Sequence, residues 1–234
     1  HSAASLASTI TDTSNGLSGS MTAISTSLEE SVPGINAVLQ EVADLNERIV
    51  LAGGSLTAGD LADQRDLLLR QLSEELGTTV SYGEDGVANV YLGGHALVES
   101  GEARKLEARI DDDGRAIIDL SVSGQATIDV TEDLGGRLGG LRDSWDTIGS
   151  YVDDLDNFVV AFATALNDTH AAGFDANGQP GGALFTWDPT DPSASFRVDD
   201  TVNADPNLLA FATDPTGTAG DAGNLQALID MEDA

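Results

Sequence analysis

Apolar residues fall at Leu6, Ile10, Leu17, Met21, Ile24, Leu28, Ile35, Val38, Val42, Leu45 and Ile49, with most gaps three, four or seven. That spacing draws one stripe along a helix covering residues 4–50. Pro33-Gly34 interrupts it, which predicts two helical segments or one kinked helix. A second amphipathic helix is predicted over Leu61–Leu76, with Gly53-Gly54 to Gly59 as the connection, Asp60 as N-cap and Gly77 as terminator. The period then changes. "TTVSYGEDGVANVYLGGHALVES" has β-branched and aromatic runs broken by Glu84-Asp85-Gly86 and Gly93-Gly94, and "KLEARIDDDGRAIIDLSV" repeats the pattern around Asp112-Asp113-Gly114. "QATIDVT" adds one more strand. Helical period returns over Gly139–Ala171, and the chain after Gly173 is rich in turns, closing on a short helix at about Leu225–Met231.

The pattern predicts an α+β fold: an elongated helical rod or coiled-coil domain carrying an inserted small antiparallel β domain. Its divisions are 1–76 for the first part of the rod, 77–133 for the β-rich insert, and 134–234 for the second part of the rod with an irregular tail. Leu45, Ile49, Leu68, Leu72, Ile148, Leu155, Phe158, Phe162 and Leu166 are expected to share one helical core.

Composition narrows the chemistry. Aromatic residues make up only 5% of the 234, so the core rests on Leu, Ile, Val and Ala. Forty acidic residues against ten basic ones give a formal charge of −30, which opposes binding to nucleic acid or to an anionic membrane surface. Lys105 is the only lysine, so the bias is global rather than confined to one acidic tail. No cysteine is present, which excludes disulfides, zinc ribbons and thiol catalysis. No apolar run approaches the roughly 20 residues that span a bilayer.

"LNDTHAAGFDANGQPGG" at 166–182 is the stretch most open to a chemical reading. An EF-hand counted from Asp175 places Asn177 at the third position, but Gln179 and Thr186 stand where the fifth ligand and the bidentate Glu belong. Asp168 and His170 lie two apart, and such residues do not face each other on a helix. No serine sits in a strand–turn–helix elbow. "LGGRLGG" lacks the spacing and lysine of a P-loop. In so acidic a chain no pair of carboxylates can be singled out for glycoside hydrolysis. The residues read better as a helix end and a turn: His170 caps or packs, Asp175 and Asn177 turn the chain, and Gly173 and Gly178 are expected at positive φ. No catalytic, cofactor-binding or metal-binding residue is assigned.

"DLADQRDLLLRQLS", "GRLGGLRD", "LNDTHAAGFDANGQPG" and "GDAGNLQAL" follow one another over most of residues 35–231. In this succession the chain resembles the flagellar hook-associated protein 1 family, the hook–filament junction proteins. The resemblance implies a non-enzymatic structural subunit without cofactors, an adaptor between hook and filament. It implies self-association in a ring and contact with hook protein and the next hook-associated protein. An export chaperone would bind a C-terminal segment missing from this chain, which is then a trimmed middle fragment. It places the protein outside the cell, in the flagellum, after passage through the flagellar export apparatus. The stripe from Leu6 to Leu28 would have lost its natural partners and be poorly covered. Another hook-associated protein or a flagellin-like axial protein is the alternative in the same class. A secreted acidic calcium- or glycan-binding domain is the alternative in a different one.

Overall fold

The computed structural model describes residues 2–53, 56–83, 86–121, 126–216 and 220–230. Helix α1 is a single element, Ser2–Ala52, with Pro33 inside it. Proline removes one backbone donor, and the apolar stripe continues through Ile35, Leu39 and Val42 on the far side, all of them buried. Packing of that stripe outweighs the local penalty, so of the two expected outcomes the chain forms one helix through Pro33 rather than two segments. Helix α2 spans Leu56–Leu76. Asp60 therefore lies inside the helix rather than at its N-cap, while Gly77 ends it with φ 71° as the sequence predicts. Of the expected connection, Gly54 lies outside the described residues.

Two antiparallel sheets follow. The first orders β1 (Thr79–Tyr82), β2 (Ala88–Leu92), β3 (His95–Glu99) and β4 (Glu102–Ala103) side by side. The second orders β5 (Leu106–Ile110), β6 (Ala116–Leu120) and β7 (Ile128–Asp129). The turns fall where the sequence places them. Gly93 and Gly94, both at positive φ, join Leu92 to His95, and Asp111–Arg115 close the β5–β6 hairpin. Glu84 and Asp85 of the remaining predicted turn lie outside the described residues. Helix α3 then runs Gly136–Ala171. The segment after it holds a two-stranded ladder of β8 (Phe185–Thr186) and β9 (Arg197–Val198) around α4 (Pro192–Ser195). Helices α5 (Asp200–Ala204) and α6 (Gly223–Asp230) complete the chain. Met231, the expected end of the last helix, lies outside the described residues.

The chain divides into two compact units, Gly19–Ile148 and His1–Ser18 with Gly149–Ala234. Both α1 and α3 run through the two, whereas the sequence places its boundaries at the changes of period. The expected single core is correspondingly two. In the Gly19–Ile148 unit, Leu28, Leu39, Val42 and Leu72 pack with Val90, Leu97, Ile118 and Leu138. In the other unit, Ala7 and Ile10 pack with Val159, Ala163, Phe185 and Phe196. So Ile10 of the N-terminal stripe is covered, in part by Phe185 and Phe196 from the expected irregular tail, whereas Leu6 stays 41% exposed and Leu17, Met21 and Ile24 are only partly buried. Phe158, expected in the core, is 49% exposed, because the face of α3 that is buried here centres on Val159 and Ala163. Ile49, Leu68, Ile148, Leu155, Phe162 and Leu166 are only partly buried.

Leu72→Ala should cost about 2–5 kcal/mol in denaturant unfolding, as for a fully packed core leucine. Leu67→Ala, five residues earlier on the opposite face and 60% exposed, should stay within about 0.5 kcal/mol. Equal losses at the two positions would contradict the orientation of α2.

Candidate functional site: a hydrogen-bonded clamp at the end of helix α3

The last turn of α3 carries the residues singled out from the sequence. His170 is fully buried and bridges two segments far from it in sequence. Its Nδ1 lies 2.8 Å from the Gly182 carbonyl, and its Nε2 accepts from the Ala210 N–H at 2.9 Å. An N–H partner on Nε2 and a carbonyl on Nδ1 fix the tautomer with the proton on Nδ1. Both nitrogens are thus occupied by backbone. Asp168, on the exposed side of the helix, takes no part.

Asn167 works the same way one turn earlier. Its Oδ1 accepts from the amides of Leu184 and Phe185, and its Nδ2 donates 2.9 Å to the Phe185 carbonyl. Asn224 of α6 donates 2.6 Å to the Ala210 carbonyl. The strand-like stretch 210–212 is held from both sides, since Phe174 and Ala212 exchange backbone bonds of 2.9 and 3.1 Å.

Asp175 closes the loop that follows α3. Its carboxylate accepts from the amides of Asn177 and Gln179, both at 2.8 Å, and from the Asn177 side chain at 3.3 Å. The backbone bond to Gln179 and those to Asn177 hold its carboxyl below the usual carboxylate range against a smaller effect of burial. The oxygens a calcium loop would aim at an ion point at the loop's own amides. Among the described residues, no three His, Asp or Glu side chains gather as metal ligands would.

Gly178 has the expected positive φ, 74°. Gly173 does not. Its lack of a side chain is required by close approach: a Cβ would sit 2.5 Å from the Ala210 carbonyl oxygen and overlap Asn224. The glycine was legible in the sequence, but the reason for it was not.

Two more asparagines, missed in the sequence, repeat the device in the Gly19–Ile148 unit. Asn36 of α1 accepts from the Leu106 amide and donates to the Leu106 carbonyl, both at 2.8 Å. Asn46 does the same with Ala88 at 3.0 and 2.8 Å, and also donates to Ser100. Buried Arg65 reaches Asn46 Oδ1 at 3.0 Å and the Gly86 carbonyl at 2.7 Å, and lies over the Tyr82 ring. A lone asparagine beside apolar stripe residues, as in "GINAV" and "ADLNER", was the available signal. Arg142 of α3 gathers the carbonyls of Thr131, Glu132 and Leu134 at 2.7–3.1 Å.

What these side chains build is a structural α+β module whose polar groups clamp helices to strands. The chain belongs to the flagellar hook-associated protein FlgK family: residues 1–185 match the family's helical domain. It is 33% identical over 164 residues to flagellar hook-associated protein 1 of Escherichia coli, covering 66% of this chain and 30% of that protein. The Salmonella typhimurium protein of the same name is 31% identical over 82% of this chain and 36% of its own length. The Bacillus subtilis protein is 26% identical over 95% of this chain and 51% of its own length. The solved flagellar hook junction protein FlgK of Burkholderia pseudomallei superposes on 80% of this chain and 35% of that one, with TM-score 0.71 and 30% identity. The chain therefore spans about a third of the length of the first two curated relatives.

Two outcomes test the clamp. His170→Phe, which keeps an aromatic ring but strands the Gly182 carbonyl and the Ala210 amide, should cost roughly 2–5 kcal/mol. It should also abolish hydrogen-exchange protection of the Ala210 amide, and retained protection would refute the clamp. The second outcome concerns acid. Asp188 and Asp221 are held below the usual carboxylate range first by the backbone amides of Thr190 and Gly223. For Asp199 and Asp214 the leading cause is the hydroxyl of Thr201 and of Thr216. With Asp175 they form a set whose folded pKa values lie below the unfolded ones. Their stabilisation is therefore present above the unfolded value near 3.8 and is lost as pH falls through the folded values. Carboxyl-carbon NMR titration should find all five midpoints below that value in the folded chain, and amide protection at Asn177, Gln179 and Gly223 should fall in that same window.

Proposed function

We propose that this chain is the helical, junction-building part of a hook-associated protein, a structural subunit without catalysis that adapts the flagellar hook to the filament. The observation that carries the reading is the match of residues 1–185 to the FlgK helical domain. The chemistry agrees with it. The polar residues buried at the end of α3 are consumed by the fold's own amides and carbonyls, and the loop at Asp175 faces inward, so the stretch is architecture. Within this reading the full-length subunits associate in a ring, one side meeting hook protein and the other the next hook-associated protein. They reach that place outside the cell through the flagellar export apparatus, with an export chaperone holding a segment beyond this chain. Nucleic acid and membrane are not partners. The charge of −30 opposes both, and among the described residues no helix is long and apolar enough to cross a bilayer.

Immunogold microscopy tests the assignment. Antibodies raised against this chain should label intact flagella of the parent organism in one band where the hook meets the filament. Labelling along the filament would instead indicate a flagellin-like axial protein, and labelling off the flagellum would overturn the reading.

A further inference from the structure

Ten asparagines stand in the chain, and two of them, Asn15 and Asn177, are followed by glycine. An asparagine before glycine carries its own chemistry. The glycine amide, unhindered by a side chain, can attack the asparagine side-chain carbon and close a five-membered imide. Asn15-Gly16 lies in the interior of α1, where backbone bonding fixes the Gly16 nitrogen in the helix. Asn177-Gly178 lies in a loop, with Asn177 exposed to solvent.

The folded loop keeps the two reacting atoms apart. The Gly178 amide donates to the Asp175 carbonyl at 3.0 Å, which makes Asn177 the third residue of a hydrogen-bonded turn. In the common turns that residue holds ψ near 0°, whereas closure needs the Gly178 nitrogen eclipsed with the Asn177 Cα–Cβ bond, roughly 120° away on the same rotation. The side chain is also tied back, since Asn177 Nδ2 donates to Asp175 Oδ2 at 3.3 Å. Asp175 Oδ1 accepts from the amides of Asn177 and Gln179, on either side of Gly178. A carboxylate there opposes the negative charge that the Gly178 nitrogen must carry to attack. Asp175 thus supplies each restraint, through its carbonyl and both carboxylate oxygens.

The same loop holds the tail. Ala176 donates to the Asn207 carbonyl at 3.1 Å, and Phe174 exchanges backbone bonds with Ala212. Gly178 packs so closely on Pro215 that a Cβ would lie 2.6 Å from its carbonyl oxygen. A change of charge or backbone length at residue 177 is therefore felt at 207–215.

We propose that Asn177 is a site of self-modification, closed while the Asp175 turn is formed and reactive whenever it opens. The Gly178 nitrogen loses its proton and bonds to Asn177 Cγ, the Cγ–Nδ2 bond breaks, and the side-chain nitrogen leaves as ammonia. Water then opens the imide. Attack at Cγ gives aspartate. Attack at the main-chain carbonyl gives isoaspartate, in which the chain runs through the side chain and gains one methylene. Neither product restores the turn. A carboxylate at 177 faces Asp175 where a donor stood, and the longer backbone of isoaspartate displaces Gly178 from Pro215. The only co-reactant is water, so an opened loop passes one way into a form that no longer grips the tail.

The wild-type chain and Asp175→Ala are incubated in mildly alkaline buffer, folded and in urea, and the peptides carrying Asn15 and Asn177 are followed by mass spectrometry. Modification adds about 1 Da and splits the peptide into two isomers on chromatography. In the folded wild type Asn177 should react at least about tenfold more slowly than in urea, because only the opened fraction reacts. In folded Asp175→Ala it should react at least about fivefold faster than in the folded wild type, while Asn15 stays slow. Asn15 is the internal check on folding. If it accelerates as well, the variant has unfolded globally, and Asp175→Asn, which keeps one acceptor oxygen, takes its place with a smaller acceleration at Asn177 alone. Asn177→Asp, which carries the first product from the outset, should lower hydrogen-exchange protection of the Ala176 and Ala212 amides. A folded wild type that reacts at the urea rate, no selective acceleration in either Asp175 variant, or undiminished protection in Asn177→Asp would overturn the assignment.

Discussion

The structure depends on one constraint: the backbone of an α-helix is already hydrogen-bonded to itself, so it cannot pair with the edge of a strand. Strands packed against helices therefore keep amides and carbonyls that still need partners. Asn36, Asn46 and Asn167 supply them. A carboxamide presents one acceptor and one donor side by side, as a peptide group does, and each of the three pairs with both groups of one residue: Leu106, Ala88 or Phe185. The apolar cores set which faces meet, but hydrophobic contact has no register. The asparagines set it, because an unpaired buried amide is expensive where a shifted leucine is not.

Much of the architecture could be read from the chain because periodicity reports which face is buried. The stripe through Ile35 and Leu45, the alternation at 88–120 and the turn at Gly93-Gly94 all led to the observed elements. What failed was the assignment of partners. Periodicity shows that Phe158 lies near a buried face, but not that Val159 and Ala163 occupy its centre. It offered nothing about Phe185 and Phe196, which lie in a stretch dominated by Pro, Asp and Gly and still cover Ile10. At the end of α3 the architectural role of His170 and Asp175 was legible from residue type and spacing. The contacts with Gly182, Ala210 and Asn224 were not, because they join residues brought together only by the folded tail.

The acidic composition shapes how the tail can fold. A segment with so little apolar mass cannot be held by burial alone. Asp175, Asp188, Asp199, Asp214 and Asp221 instead turn their carboxylates onto the amides of the following residues, so the charge that opposes compaction also shapes the loops. His170 complements them, being held as a neutral donor and acceptor inside the fold rather than as a counter-charge.

The paired amides of α1 have a mechanical consequence. A helix advanced by one residue turns by about 100°, so a slip of α1 against the sheets would swing Asn36 and Asn46 away from Leu106 and Ala88 together. The helix is therefore indexed, like a rack held by two teeth. Under a load along its axis it cannot creep by small steps, but holds its register until both teeth let go at once.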